Sequence, residues 1–233
     1  MTKPDEIAPS AVRDAHEVRH WDREADVVVV GFGCAGACAA VEAAEAGAEV
    51  LVLERSGGGG GTSALSGGLI YMGGGTPVQE ACGYHDTVDG MFTFLMAACG
   101  PTPDEAKVRV FCEESVAHFR WLERHGVPFK RSFYPEPAME APTDDCLVYS
   151  GGEDAYPFDR LTPPVPRAHK PQVPNAAGGF LMQKLVAATE RSGAAVLCDA
   201  RAETLVVERD GRVAGVVVRH DGGERLIRAR RGV

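Results

Sequence analysis

The sequence predicts an α/β fold with a parallel sheet and an inserted, mostly irregular or helical segment, on three observations. A β-branched run, Val27–Val30, leads at once into Gly31-Phe32-Gly33 and an alanine-rich stretch, and a second apolar run follows at Val50–Leu53. Near the other end, short apolar runs are separated by Asp210-Gly211 and by Asp221-Gly222-Gly223. Between these ends, nine of the fifteen prolines fall in Tyr134–Pro174.

Taken in order, residues 1–22 are polar and charged, lack the apolar centre of a secretory signal, and read as an N-terminal extension. Val27–Val30 is too short for a helix face and suits a strand buried on both sides. Ala35–Ala46 reads as a helix, and Gly47 is placed to end it as the residue after the cap. Val50–Leu53 completes a βαβ opening, whose short connections imply parallel strands. Ser56–Gly75 is glycine-rich, yet Leu65, Leu69, Ile70, Tyr71 and Met72 interrupt it. That argues for an ordered loop whose backbone approaches a ligand, rather than for a solvated linker.

Helical patterning covers His85–Ala98 and again Thr102–His125, where Pro103-Asp104-Glu105 is a start and Gly126 a stop. Phe111, Val116, Phe119 and Leu122 are expected on the buried stripe of that second helix, with His118 and His125 packed or solvated. Tyr134–Pro174 reads as an irregular cover laid over something rather than as a sheet, because proline removes ladder donors. Its Arg160, Arg167 and His169 are expected on exposed loop. A helix from Gly178 to near Gly193, a strand at Ala194–Cys198, and strands at Ala202–Val207, Val213–Val218 and Leu226–Arg230 form the closing β-meander. The organisation is then an extension (1–22), the first part of a nucleotide-binding domain (23–76), the inserted cover (77–174) and the second part of that domain (175–233).

The net charge of −9 argues against nucleic-acid binding, since phosphates would be repelled. Nothing approaches the run of about 20 apolar residues that a membrane span needs. The seven cysteines form no Cys-x-x-Cys pair and read as buried, reduced thiols of a cytoplasmic protein, with no metal site.

The chemistry lies in Gly31-x-Gly33-x-x-Gly36, which follows one strand and opens a helix. The first glycine permits the turn, the second removes a side chain where a pyrophosphate must come close, and the third lets helix and strand pack. Amides at the helix start face the phosphates, aided by the helix dipole. The second strand ends at Glu54, a carboxylate placed to accept a ribose hydroxyl and to disfavour a 2′-phosphate. Strand, glycines, helix, strand and acid together point to a Rossmann-like dinucleotide site.

The motif does not separate NAD from FAD. The segments Val27–Gly36, Leu53-Glu54-Arg55 and Gly60-Gly61-Thr62-Ser63-Ala64-Leu65-Ser66-Gly67-Gly68 resemble the FAD-binding start of the fumarate reductase/succinate dehydrogenase flavoprotein superfamily. Gly178-Gly179 with its helix, the strand at Ala202 and Gly211–Val216 extend the likeness to about two-thirds of the chain. Ser66–Tyr71 and Gly73-Gly74-Gly75-Thr76 are most similar to the superfamily's 3-ketosteroid dehydrogenases.

The resemblance implies FAD contacts at Gly31, Gly33, Ala35, Gly36, Glu54, Arg55, Gly61, Thr62, Ser63, Ser66, Gly67 and Gly68, and a backbone contact to adenine at Ala202. Gly61 stands where respiratory members carry the histidine that attaches FAD, so non-covalent FAD is implied. The implied activity is CH–CH dehydrogenation of a small molecule, a 3-ketosteroid, by hydride transfer to the flavin, with Tyr134 the candidate catalytic phenol. A fumarate-reductase-like enzyme acting on a dicarboxylate and a non-catalytic FAD-binding fragment are the alternatives. The family's main acid/base residues fall beyond Val233, so the chain is expected to be a C-terminally truncated piece.

Overall fold

The computed structural model describes residues 12–136 and 138–233. These fall into two compact units, one formed by residues up to Gly61 with Val186–Val233, the other by Thr62–Leu185. In chain order the elements are β1 (Arg13–Asp14), β2 (Arg23–Val30), α1 (Cys34–Glu45), β3 (Val50–Leu53), α2 (Gly61–Ala64), β4 (Ile70–Tyr71), α3 (Pro77–Ala81), α4 (Val88–Ala98), α5 (Glu105–Glu113) and α6 (Ser115–Arg124). There follow β5 (Leu147–Val148), β6 (Ala168–His169), α7 (Gly178–Arg191), β7 (Ala195–Leu197), β8 (Arg201–Val207), β9 (Val213–His220) and β10 (Gly223–Gly232).

The first unit carries a seven-stranded sheet in the order β1-β8-β9-β10-β2-β3-β7. Strands β2, β3 and β7 run parallel, as the βαβ reading expects, and β8, β9 and β10 are the antiparallel meander. All four residues of β3 are buried, which is why that strand reads as an unbroken apolar run. Val28, Leu51 and Leu53 join Val216, Val218 and Ile227 in one core cluster. Each such side chain contributes about 1.5–3 kcal/mol on burial.

Strand β2 begins at Arg23, ahead of the valine run. Arg23, Glu24 and Ala25 pair in parallel with Ile227, Arg228 and Ala229 of β10, a distant partner that local hydropathy does not register. After an irregularity, Gly232 pairs with Val27, so β10 stays beside β2 to its last residue.

Of the expected extension, residues 1–11 lie outside the described residues. Arg13 and Asp14 add β1 to the edge of β8, opposite Val206 and Val207. The Trp21 ring covers Gly215, where a Cβ would sit 2.7 Å from it.

The second unit holds α3 to α6 and a three-stranded sheet, β4-β6-β5, of two-residue strands. The Tyr134–Pro174 segment therefore does enter a sheet, against the expectation. Its prolines restrict that pairing to Leu147–Val148 and Ala168–His169.

Residues 102–125 form two helices rather than one. The chain breaks at Glu114, and the buried Ser115 hydroxyl leaves the local pattern to accept the Gly73 amide at 2.8 Å. The stripe loses phase at that break: Phe119 and Leu122 are buried, but Phe111 is 48% exposed and Cys112 is buried in its place. Nor are the thiols uniformly buried, since Cys34 and Cys99 are exposed. No helix among the described residues is long and apolar enough to cross a membrane.

Candidate functional site

In the first unit, the turn between β2 and α1 accounts for two of its three glycines. Gly31 has φ +94°, the left-handed region, and its amide donates to the Leu53 carbonyl at 2.8 Å. A Cβ on Gly36 would lie 1.9 Å from the Gly31 carbonyl oxygen and 3.3 Å from Val29 Cγ1. The third glycine is thus required for the helix to close onto the strand. Gly33 caps α1 with no side-chain hydrogen bond, and Cys34 and Ala35 at the first turn are exposed. A helix start uncovered in this way offers its amides to an anion.

Glu54 stands at the end of β3 with its carboxylate fixed on both oxygens. Oε2 accepts the Phe32 amide and Oε1 the Ser56 amide, each at 2.8 Å. Burial alone would raise this carboxyl, but the two amides and the neighbouring Arg55 charge outweigh it and hold it below the usual range. It is therefore ionised near neutrality, and each oxygen keeps acceptor capacity for a hydroxyl. The Phe32 carbonyl accepts the Gly60 amide at 2.8 Å, and the Phe32 ring occupies the space that a Cβ on Gly59 would need. Arg55 is exposed. Ala202 lies in β8 opposite Val218, next to a register irregularity. Strand β1 covers β8 only at Val206 and Val207, so the outer edge at Ala202 has no strand partner among the described residues.

Gly61 closes the opening segment of the first unit, and the second unit holds the candidates from Thr62 onward. Gly61, Thr62 and Ser66 are exposed, Ser63 and Gly67 half-buried and Gly68 buried. The Ser66 hydroxyl donates to the Ser63 carbonyl at 2.8 Å and accepts the Gly68 amide at 3.2 Å. A Cβ on Gly68 would meet the Ala177 and Gly178 backbone at 2.5 Å, and one on Gly178 would meet the Ser66 and Ser63 carbonyls at 2.4 and 2.5 Å. The loop is ordered, as expected, but Gly68 is needed for close approach to protein backbone.

The same holds for Gly73–Gly75. The Met72 amide donates to the Arg167 carbonyl, Gly73 to the Ser115 hydroxyl, Gly74 to Asp86, and Gly75 and Thr76 both to Gln79 Oε1. Five successive amides are spent inside the unit, so this turn offers none to a ligand.

At its centre is a buried ion pair that sequence reasoning missed. Arg167 Nε and Nη2 donate to the two Asp86 oxygens at 2.8 and 2.7 Å, with side chains 0% and 2% exposed. Burial would raise the Asp86 carboxyl, but Arg167, the Gly74 amide and Gln79 hold it below the usual range. His169 is also fully buried. Its Nδ1 faces the Arg167 carbonyl at 3.0 Å, which makes Nδ1 the donor and leaves Nε2 to accept from the Thr76 hydroxyl at 2.7 Å. Burial pushes this imidazole down to about 4. Arg167 and His169 are thus interior supports, contrary to the exposed-loop expectation. Only Arg160, with its side chain 77% exposed, matches it. Nothing local in Val165-Pro166-Arg167-Ala168-His169 signals burial, because the partners lie some 80 to 90 residues away.

Tyr134 donates its amide to the Leu147 carbonyl at 2.9 Å and lines a cavity of about 300 Å³ with Met139, Tyr149, Ser150, Gly152 and Asp154. Tyr149 donates its hydroxyl to the Pro164 carbonyl at 3.2 Å. His125 is buried and stacked on Trp121 at 4.0 Å, with Nδ1 2.8 Å from the Trp121 carbonyl. His118 is surface-exposed, its ring lies stacked 6.3 Å from that of Trp121, and partial burial lowers it. His125 is packed and His118 lies at the surface.

Comparison with known proteins fits this geometry. Residues 26–233 match the family model described as FAD binding domain. The 3-oxo-5-alpha-steroid 4-dehydrogenase of Comamonas testosteroni is 39% identical over 213 residues, covering 89% of this chain and 39% of the relative. The solved 3-ketosteroid-Δ4-(5α)-dehydrogenase of Rhodococcus jostii RHA1, in complex with 4-androstene-3,17-dione, superposes with a TM-score of 0.93 at 52% identity, over 95% of this chain and 47% of that one. A flavocytochrome c3 fumarate reductase gives 0.73 at 28% identity, over 90% and 33%. The chain spans less than half the length of each of these relatives. With a family model matching nearly its whole length, the chain belongs to the FAD binding domain family of flavoproteins.

Proposed function

We propose that this chain is the FAD-holding part of a flavin-dependent CH–CH dehydrogenase acting on a 3-ketosteroid, with FAD bound non-covalently. One observation carries the cofactor reading: the uncapped start of α1, pressed onto Gly31 through Gly36, lies beside the doubly anchored Glu54 carboxylate. The α1 amides from Cys34 to Gly36, behind Gly31, Gly33 and Ala35, would bind the pyrophosphate. Glu54, with Arg55 beside it, would orient the adenosine ribose, and the open backbone edge at Ala202 would meet adenine. Thr62, Ser63, Ser66, Gly67 and Gly68, with Gly61 where a covalent anchor would need histidine, would border the flavin.

When bound, FAD supplies the two-electron redox chemistry. The chain's own part is to hold the nucleotide and to keep the Ser66–Gly68 backbone in one conformation through Ala177 and Gly178. Tyr134, which lines the cavity with Tyr149 and Asp154, is the phenol proposed to face the substrate. Its tests are Tyr134→Phe kinetics in the full-length enzyme. The steroid reading rests on the 52% identity to the Rhodococcus jostii enzyme. A cytoplasmic setting belongs to the same proposal.

The test is anaerobic mixing of the purified flavoprotein with a saturated 3-ketosteroid, and of its reduced form with fumarate. Bleaching of the flavin by the steroid is expected. Oxidation of the reduced form by fumarate, without bleaching by steroid, would favour the dicarboxylate reading. Neither reaction in an FAD-loaded protein would favour the non-catalytic one.

A further inference from the structure

Besides Arg167, the second unit buries Lys170, the residue after β6, with 0% exposure. Its ammonium donates to three backbone carbonyls: those of Ala141, of Thr143 at 2.7 Å and of Asn175 at 3.1 Å. An ammonium has three protons and no acceptor, so this set spends all of its donors. The Lys170 amide donates to the Cys146 carbonyl at 2.9 Å, which fixes the base of the side chain. The three carbonyls belong to two irregular segments, and both segments touch the Ser66–Gly68 loop. On one side, a Cβ on Gly67 would collide with Oε2 of Glu140, the neighbour of Ala141. On the other, the Ala177 amide donates to the Gly67 carbonyl at 2.8 Å and the Gly178 amide to the Ser66 carbonyl at 3.2 Å. Asn175 has φ +60°, a left-handed turn that asparagine tolerates. Its carbonyl is held by Lys170 and its amide by the Pro142 carbonyl at 3.2 Å, and this turn leads the chain into Ala177.

We propose that Lys170 is a positioning residue for the flavin-bordering loop: its ammonium staples residues 141–143 to Asn175 and so holds Ser66–Gly68 between the two segments. The flavin side of this statement rests on the proposed role of Ser66–Gly68, whereas the staple rests on the three bonds. An apolar side chain of similar length would fill the same space without the cost of burying a charge. It could not gather three carbonyls from separate segments about one point. Lys170→Met is therefore the informative substitution, since it keeps an unbranched apolar side chain and removes the ammonium.

Hydrogen–deuterium exchange of the purified protein, read segment by segment in wild type and Lys170→Met, tests the staple without bound cofactor. The amides of residues 66–68 and 177–178 are expected to exchange about tenfold or more faster in the variant, with β2 and β3 unchanged. Leu122→Ala, which opens a cavity at a buried position of α6, is the comparator. It is expected to lower the Tm while the loop exchanges at the wild-type rate. Titration with FAD is the second readout: about tenfold weaker binding is expected for Lys170→Met and wild-type affinity for Leu122→Ala. Unchanged loop exchange in Lys170→Met, or an equal increase in Leu122→Ala, would overturn the proposal. Faster loop exchange with unaltered FAD affinity would confirm the staple and refute the flavin-bordering role given to the loop. If Lys170→Met does not fold, Lys170→Gln takes its place. Its neutral amide has two protons and serves at most two of the three carbonyls, so the same local increase is expected, and its absence would overturn the proposal.

Discussion

A buried titratable group acts through the partners its neighbours supply, and His169 is a direct case. Its Nδ1 must donate to the Arg167 carbonyl and its Nε2 must accept from Thr76, so the folded protein holds the neutral ring. The ring's value is lowered to about 4, against roughly 6.5 in an unfolded chain. As pH falls, the unfolded chain takes up the proton first. The stabilisation is therefore complete above about pH 6.5 and is lost as pH falls toward 4, by up to roughly 3 kcal/mol. Thermal unfolding across that window should show a falling Tm, and His169→Gln should flatten the slope; an unchanged slope would refute this assignment. Asp86 and Glu54 are lowered carboxyls, so their contributions persist to lower pH and are lost only below about pH 4. Arg167→Met strands the buried Asp86 charge and should cost about 3–5 kcal/mol in denaturant unfolding. A loss below about 1 kcal/mol would show that Asp86 reaches solvent or takes a proton without penalty. None of this was legible in the sequence. Arg167 and His169 sit among prolines with no periodicity, and their partners are remote.

Elements whose cause is local were legible. Val50–Leu53 and the helix after Gly33 follow from apolar runs and from glycine punctuation, and Gly47 ends that helix at φ +84° as its position implies. The Asp210-Gly211 hairpin likewise joins β8 to β9, with φ +88° at Gly211. Elements whose cause is distant were not legible. The early start of β2 depends on β10, the break at Glu114 accompanies the bond from Gly73 to Ser115, and the two-residue strands β5 and β6 depend on each other. The glycine motif was read correctly as a required backbone feature, but Gly68 and Gly73–Gly75 serve protein contacts. Two substitutions separate required glycines from permissive ones. Gly36→Ala would force a Cβ to 1.9 Å from the Gly31 carbonyl and should destabilise by about 1–3 kcal/mol, with loss of bound FAD. Gly58→Ala meets nothing within 4 Å and should shift stability by less than about 0.5 kcal/mol. Equal behaviour of the two variants in thermal unfolding would refute the packing role given to Gly36.

At the scale of the whole chain, two compact units divide the work. The first holds the sheet, the glycine turn between β2 and α1, and Glu54; the second holds the Ser66–Gly68 loop, the Asp86–Arg167 core and the Tyr134 cavity. The chain spans less than half of its compared relatives, so chemistry that needs their remaining length is tested on the full-length enzyme. Cofactor binding through Glu54 is testable on the residues described. Calorimetric titration of FAD into flavin-free purified protein, wild type beside Glu54→Gln, measures it most directly, with circular dichroism to report the fold. The account predicts one FAD per chain for the wild type and about tenfold or more weaker binding for Glu54→Gln at unchanged fold, since a charged acceptor is lost. Equal affinity in the two proteins, or a folded wild type that binds no FAD, would contradict it.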